Sequence, residues 1–262
     1  MRIENSFIPV RGVGERTEQN LWTGGVLTWD DFDPAAAPVG TKTGERIESF
    51  IADSLERLDD GDARYFGDVF PSGERWRLYE NFREEACFFD IETTGLDSSR
   101  HDVTTVSFHR GGETTTLVRG DTLTADALRE QFRDVSLVVS FNGKRFDVPF
   151  LEESFDVSVD LPHVDLMYPC RRLDLTGGLK RIEKDVGIDR DRPDLSGRDA
   201  VRLWHRYERD GDDDALDTLV SYNRDDTVNL KRLMDLVAGT LHEESLGGID
   251  GATCDLPARE LV

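Results

Sequence analysis

The most constraining feature of the sequence is a short apolar segment that ends in two acidic residues. The run from Cys87 to Ile91 predicts a buried strand, with Asp90 and Glu92 two positions apart at its end. Residues i and i+2 of a strand point to the same side of a sheet. Two carboxylates on one side repel each other unless a cation lies between them. The segment therefore predicts a sheet-forming strand that presents two candidate metal ligands. The alternative reading is a pair of ordinary surface acids.

The segments on either side of this strand alternate in type, which indicates the fold class. Further strands are predicted at 104–109, 113–119, 135–141 and 164–166, and helices at 123–133, 146–153, 196–207 and 213–237. Gly111-Gly112 is typical of a hairpin turn, and Ser196 with Asp199 resembles a capping box at the start of a helix. We therefore expect an α/β fold with a mixed sheet, made of a three-strand antiparallel meander plus parallel strands and flanked by helices.

Three regions can be separated along the chain by these patterns. Residues 1–84 are predicted to be a small, mainly helical region, residues 85–238 the α/β domain, and residues 239–262 a partly loose C-terminal tail. The sequence contains no stretch of about 18 apolar residues and begins without a signal-peptide pattern. We expect a cytoplasmic protein with no membrane partner.

Residues that would ligate soft metals are few and scattered. The three cysteines form no Cys-x-x-Cys pair, which suits a reducing cytoplasm better than a disulfide or zinc framework. The five histidines do not cluster in the sequence, and we expect them to be structural or solvated.

The charge composition is unusual and bears on which partners are allowed. The net charge is −22 at pH 7, with 34 Asp against 20 Glu and 27 Arg against 5 Lys. An Asp-rich, Lys-poor surface is typical of salt-accumulating halophiles, and we hypothesise that this protein is halophilic. A strongly acidic protein normally repels a polyanion. In molar salt the Debye length falls to about 3 Å, so the net charge does not exclude nucleic acid.

Two further segments place acidic residues at predicted element ends. The segment 142–151 puts Asp147 in the first turn of a helix, where an acid also stabilises the helix dipole without any other role. The segment 222–226 puts Tyr222 and Asp226 on one helix face. Asp225 is an alternative to Asp226, and a plain core aromatic is an alternative role for Tyr222.

Together the three segments resemble the motifs of the DEDD (DnaQ-like) 3′–5′ exonucleases of the ribonuclease-H-like superfamily. Residues 90–96 are similar to Asp-x-Glu-Thr-Thr-Gly-Leu, and residues 142–151 to Asn-x-x-x-Phe-Asp-x-x-Phe-Leu. Residues 222–226 are similar to the tyrosine variant of the third motif, Tyr-x-x-x-Asp. The resemblance covers about 86–238 in the order of the family. It implies a ribonuclease-H-like fold and hydrolysis of phosphodiester bonds from a 3′ end. We expect single-stranded or frayed DNA as the substrate, with DNA favoured over RNA by the N-terminal resemblance described below.

The resemblance also implies a two-metal-ion mechanism with two divalent cations, Mg²⁺ or Mn²⁺. The metal-binding carboxylates would be Asp90, Glu92, Asp147 and Asp226. Tyr222 would orient the attacking water or hydrogen-bond the scissile phosphate, since its usual pKa of about 10 makes it a poor base at neutral pH.

Substrate contacts and partners are less determined by the motifs. Asn142 and Lys144 would contact the substrate phosphate, although Asn142 has the alternative of only turning the chain. Replication or repair proteins are candidate partners. Two other functions stay open: a catalytically silent nucleic-acid-binding module with a ribonuclease-H-like fold, and a nuclease that acts on RNA.

The N-terminal region carries a second, shorter resemblance. Residues 7–22 contain a Gly-Val-Gly turn that enters an amphipathic helix, and they resemble the hairpin of the helix-hairpin-helix DNA-binding motif. The resemblance implies phosphate contacts from the backbone of Gly12 and Gly14, with charge pairs from Arg11 and Arg16. The alternative is a Gly-rich connection that packs locally.

Overall fold

The computed structural model describes residues 1–259. Within them lies a five-stranded mixed sheet. The strands are β1 Ala86–Thr93, β2 Val103–Arg110, β3 Glu113–Val118, β4 Leu137–Ser140 and β5 His163–Asp165. Their order in the sheet is β3-β2-β1-β4-β5. Strands β1, β2 and β3 form an antiparallel meander, and β4 and β5 continue the sheet in parallel from the other side of β1. The predicted α/β fold is confirmed.

Helices precede the sheet, connect its later strands and follow it. They are α1 Glu15–Thr23, α2 Thr41–Asp59, α3 Ala63–Val69, α4 Tyr79–Phe82, α5 Ala125–Gln131, α6 Asp147–Phe155, α7 Met167–Arg172, α8 Leu179–Val186, α9 Gly197–Asp210 and α10 Asp213–Leu246. None of the helices within residues 1–259 is long and apolar enough to cross a membrane.

Local sequence explains the main features of the sheet. Gly111 and Gly112 have φ values of 56° and 81°, which are the positive angles that a tight hairpin turn between β2 and β3 requires. β1 is the third of five strands and is buried along most of its length, as its apolar run predicts. Helix α9 begins with the predicted capping box of Ser196 and Asp199.

The chain divides into two compact units. One consists of Glu84–Met234 and contains the whole sheet, and the other consists of Met1–Arg83 with the residues from 235 onward. In the second unit the C-terminal segment, which the sequence predicts to be partly loose, returns to α10. The Arg259 N–H donates to the Thr240 hydroxyl at 2.9 Å, and Leu256 is buried. Gly239 permits this approach, because a Cβ there would lie 2.1 Å from the Pro257 carbonyl oxygen.

A buried ion pair organises the N-terminal residues of that second unit. The Glu18 carboxylate accepts two hydrogen bonds from the Arg77 guanidinium, both at 2.9 Å, and neither side chain is more than 1% exposed. Glu18 also accepts the N–H groups of Phe7 and Ile8 at 2.7 and 3.0 Å. Burial raises the pKa of Glu18 above its usual value, while Arg77 opposes that rise. The carboxylate therefore ties the chain before α1 to the 3-10 helix that carries Arg77.

We predict that Glu18→Gln lowers the free energy of unfolding by roughly 3 kcal/mol, because it leaves the Arg77 charge buried with one carboxylate partner fewer. Urea denaturation followed by circular dichroism measures the loss. Glu48→Gln, the same substitution at an exposed position of α2, is the matched control, and it should change that free energy by no more than about 0.5 kcal/mol. Equal stability of the two variants would contradict the prediction.

Candidate active site

Three carboxylates meet at the end of the central strand. Asp90 and Glu92 share one face of β1 on either side of the buried Ile91, and Asp226 of α10 joins them. One oxygen from each of the three lies within 4.8 Å of the others. Asp90 and Glu92 are partly exposed, whereas Asp226 is 6% exposed. The structure thus brings together three of the four predicted metal ligands in an acidic centre that solvent can reach.

Asn223 fixes the orientation of Asp90. Its side-chain amide donates to Asp90 Oδ2 at 2.7 Å and to the Asp90 carbonyl at 3.3 Å, while its own Oδ1 accepts from the Thr105 hydroxyl at 3.0 Å. Asn223 is fully buried. It therefore locks α10 against β1 and β2 at the level of the acidic centre. Asn223 lies within the third motif, at a position for which the sequence pattern predicts no role.

Asp147, the fourth predicted ligand, begins α6 and lies outside the group of three. It is 4% exposed, and its Oδ2 is buried without a hydrogen-bond partner. Gly143 leaves the space that this carboxylate fills, since a Cβ there would lie 2.6 Å from Oδ2. Burial raises the pKa of Asp147 well above its usual range, and the Asp165 carboxylate raises it further. The unpartnered oxygen can accept a further partner such as a cation.

Asp165 of β5 holds the loop before α6, and sequence analysis did not single it out. Its Oδ1 accepts the N–H groups of Asn142 at 2.7 Å and Met167 at 3.2 Å, and its Oδ2 accepts that of Lys144 at 3.3 Å. Asn142 has a φ of 64°, which is the turn conformation that asparagine tolerates best among residues other than glycine. The side chains of Asn142 and Lys144 are partly exposed. Their contact with a substrate stays a prediction.

Burial and electrostatic repulsion both disfavour the ionised carboxylates of the acidic centre. Burial raises the pKa of Asp90 well above its usual range, and the neighbouring carboxylates, Asp226 first, raise it further. The pKa of Glu92 is raised by the same causes in the same order. Burial also raises the pKa of Asp226, against the opposing effect of Arg190. These carboxylates are therefore hard to ionise together unless positive charge is added.

Part of that positive charge comes from Arg190, which sequence analysis missed. Its guanidinium donates to the carboxylates of both Asp226 and Glu183, and its side chain is 5% exposed. Glu183 lies on α8 and is fully buried. The Arg190 guanidinium thus connects the segment after α8 to the acidic centre. An arginine seven residues after a glutamate is not a distinctive pattern in a chain with so many charged residues.

Tyr222 packs in a small apolar cluster and also faces the site. It is 5% exposed and contacts the cluster of Ala200, Trp204 and Leu219. The Lys180 Nζ atom lies 4.4 Å from the centre of the Tyr222 ring. Burial and the Asp226 carboxylate both raise the pKa of Tyr222, so its hydroxyl keeps its proton at neutral pH. It can donate a hydrogen bond but cannot act as the base. Asp225, the alternative to Asp226, instead accepts the Asp191 N–H at 3.1 Å.

An apolar cleft of about 770 Å³ adjoins Glu92. Leu96, the last residue of the first motif, is 86% exposed and contributes to the lining, as does Phe146. The first residues of α9 close the other side. The lining residues are Ile91, Glu92, Thr93, Gly95, Leu96, Phe146, Ser196, Gly197, Arg198 and Val201.

The residues of the N-terminal resemblance lie in the other compact unit. Gly12 has a φ of 99°, Gly14 precedes α1, and Arg11 and Arg16 are exposed. A three-residue 3-10 helix, Ile3–Asn5, stands before this turn in place of a full first helix. The match to a helix-hairpin-helix is therefore partial, and DNA binding by this turn stays a prediction.

The acidic centre fits a hard divalent cation by its chemistry. Its ligand atoms are all carboxylate oxygens, the type that Mg²⁺ and Mn²⁺ prefer. The mutual elevation of the carboxylate pKa values and the unpartnered Asp147 oxygen both favour added positive charge. The four carboxylates are therefore suited to hold such cations.

Solved structures that are similar to part of this chain share low sequence identity with it. A nuclease in its apo form is 21% identical, with 62% of this chain and 75% of that chain covered and a TM-score of 0.46. Brucella melitensis NrnC bound to pGG is 19% identical, with 64% and 79% covered and a TM-score of 0.47. The family B DNA polymerase of Pyrobaculum calidifontis is 18% identical, with 64% and 27% covered and a TM-score of 0.43.

Comparison with families of sequences gives the assignment. No curated protein matches the chain. Residues 87–238 match a family described as RNase_H superfamily. They make up more than half of the chain, and they include all four predicted carboxylate ligands and the whole sheet except its first residue. The chain belongs to the RNase_H superfamily.

Proposed function

We propose that this chain is a metal-dependent 3′–5′ exonuclease that hydrolyses phosphodiester bonds of single-stranded or frayed DNA by a two-metal-ion mechanism. The observation that carries the proposal is the group of Asp90, Glu92 and Asp226 oxygens within 4.8 Å of one another. The buried, unpartnered oxygen of Asp147 supports it. All four residues occupy motif positions of the DEDD exonucleases, and the polarity of digestion follows from that resemblance.

Each carboxylate has a proposed part in metal binding. Asp90 would contact both cations, Glu92 and Asp226 would complete the first position, and Asp147 would hold the second. When bound, the two cations would activate a water molecule and stabilise the charge on the leaving oxygen.

Other side chains of the site would orient and balance charge. Asn223 holds the Asp90 carboxylate, and Arg190 holds that of Asp226. The Tyr222 hydroxyl, which keeps its proton, would donate a hydrogen bond to the attacking water or to the scissile phosphate. Lys180, at the N-terminal end of α8, would add positive charge near that phosphate.

The cleft beside Glu92 is suited to the end of a single strand. Leu96 and Phe146 offer apolar surface on which a nucleobase could stack, a contact that tolerates any base. A paired base is not free to enter such a cleft, and this is the physical argument for single-stranded or frayed ends. DNA is favoured over RNA by the N-terminal turn, whose backbone N–H groups and exposed Arg11 and Arg16 would contact phosphate without reading sequence.

We predict that Asp226→Asn lowers the cleavage rate by more than about a hundredfold, because loss of a direct metal ligand should exceed the effect of losing an outer partner. The measurement is degradation of a 5′-labelled single-stranded DNA in molar KCl, with Mg²⁺ or Mn²⁺ against EDTA. The wild type should give a metal-dependent ladder that shortens from the 3′ end.

Asp225→Asn is the matched control for that experiment, because it removes the neighbouring carboxylate and should leave the rate near that of the wild type. Equal rates for the two variants would exclude Asp226 as a ligand. If the wild type cuts neither this DNA nor the matching RNA and duplex, the chain is a nucleic-acid-binding module instead.

We predict that Tyr222→Phe lowers the rate about tenfold or more while leaving metal affinity unchanged, because only the hydroxyl that orients water or phosphate is lost. Metal affinity is measured by the shift in melting temperature with Mn²⁺ concentration. An unchanged rate would restrict Tyr222 to its packing role.

We predict that the metal-free protein loses stability as the pH rises, because the folded state raises the pKa values of Asp90 and Glu92. The folded state then binds protons more tightly than the unfolded chain. This stabilisation is complete below about pH 4, the ordinary carboxyl pKa, and is lost as the pH rises through the raised values. Mg²⁺ should restore stability at neutral pH, since it binds the ionised carboxylates.

The melting temperature in EDTA and in Mg²⁺ across this pH range measures the effect. Asp90→Asn should flatten the pH dependence and reduce the response to Mg²⁺. Asp225→Asn should keep both the pH dependence and the response to Mg²⁺. It is therefore the control for repulsion among the many surface carboxylates. If the melting temperature in EDTA changed with pH by the same amount in the wild type and in Asp90→Asn, the prediction would be wrong.

A further inference from the structure

A second cluster of metal-ligating side chains lies in the other compact unit. Glu80 of α4, His242 of α10 and Cys254 of the C-terminal segment each offer one ligand atom, and these atoms all lie within 4.8 Å of one another. The Cys254 Sγ atom is 3.8 Å from Glu80 Oε2. The three residues are far apart in the sequence and meet only because the C-terminal segment returns to α10.

The histidine of this cluster has a buried ring nitrogen without a hydrogen-bond partner. His242 is 2% exposed, and its Nδ1 atom is buried without a hydrogen-bond partner. A buried polar atom that lacks a partner has a free-energy cost, and most such atoms in folded proteins are paired with protein, water or an ion. The packing of α10 alone therefore does not explain why a histidine occupies this position.

The cluster already attracts a positive group. The α-ammonium of Met1 donates to Glu80 Oε2 at 2.6 Å and lies 3.8 Å from Cys254 Sγ. A divalent cation would either replace this ammonium beside Glu80 or take the deprotonated amine as a further ligand. If the amine does not bind the cation, a water molecule would be the further ligand.

We propose that Glu80, His242 and Cys254 form a binding site for a zinc-class divalent cation. Sulfur, imidazole nitrogen and carboxylate oxygen are the ligands of Zn²⁺, whereas Mg²⁺ takes oxygen ligands. Binding forms a metal–sulfur bond to the Cys254 thiolate, and the thiol proton leaves to solvent. The cation holds the C-terminal segment to α4 and α10, so the site is structural and independent of phosphodiester hydrolysis.

The test uses Co²⁺ as a spectroscopic probe for zinc, added to the full-length, metal-stripped protein. Saturating Mg²⁺ first fills the acidic centre, whose oxygen ligands give no sulfur-to-cobalt charge-transfer absorption. We expect a near-ultraviolet charge-transfer band that saturates at one equivalent and is displaced by Zn²⁺. Cys254→Ser should abolish the band, and Glu80→Gln should keep it while weakening Co²⁺ binding at least about tenfold.

Two controls separate the proposed ligands from other groups. Cys170→Ala removes a buried thiol elsewhere, and Asp90→Asn removes a carboxylate of the acidic centre; both should keep the band. Zn²⁺ should raise the melting temperature of the wild type but not that of Cys254→Ser, whose native circular dichroism confirms that it folds. The absence of a band in the wild type, or its persistence in Cys254→Ser, would overturn the proposal.

Discussion

The repulsion among Asp90, Glu92 and Asp226 is the constraint on which the rest of the site depends. Three carboxyl groups with oxygens within 4.8 Å of one another are unstable as anions unless positive charge or hydrogen-bond donors offset them. The protein supplies only part of that compensation, through the amide of Asn223 and the guanidinium of Arg190. Burial and this remaining repulsion together explain the raised carboxylate pKa values, and both make the site suitable for divalent cations.

The mixed sheet is what allows the carboxylates to approach one another. β1 pairs with β2 in the antiparallel sense and with β4 in the parallel sense, so it is central and its side chains have defined directions. Asp90 and Glu92 therefore share a face because of strand geometry alone. Asp226 reaches them from α10, which is held in place by Asn223. A strand supplies two of the carboxylates and a packed helix supplies the third, and such elements hold a site more accurately than loops do.

The parts of the structure that were predictable from the sequence are those with local signals. The alternation of apolar runs predicted the strands, Gly111-Gly112 the hairpin, and Ser196 with Asp199 the start of α9. The motif spacing indicated which acidic residues are candidate metal ligands. Arg190 and Asp165 had no such signal, because Arg190 reaches Asp226 and Asp165 reaches Asn142 only in the folded chain. The histidines and cysteines looked scattered for the same reason, since His242 and Cys254 meet Glu80 only in the folded chain.

The chemistry of the two clusters argues that they serve different cations. The acidic centre has oxygen ligands alone and is partly open to solvent, a combination that suits a hard, exchangeable ion which must share its coordination with a substrate. The Glu80 cluster combines a thiol, an imidazole and a carboxylate, and its histidine is buried. The difference in ligand type would make each cluster selective for its own metal, because Mg²⁺ competes poorly for sulfur and nitrogen ligands. Chelation of the softer metal should then loosen the C-terminal segment while Mg²⁺ still binds the acidic centre.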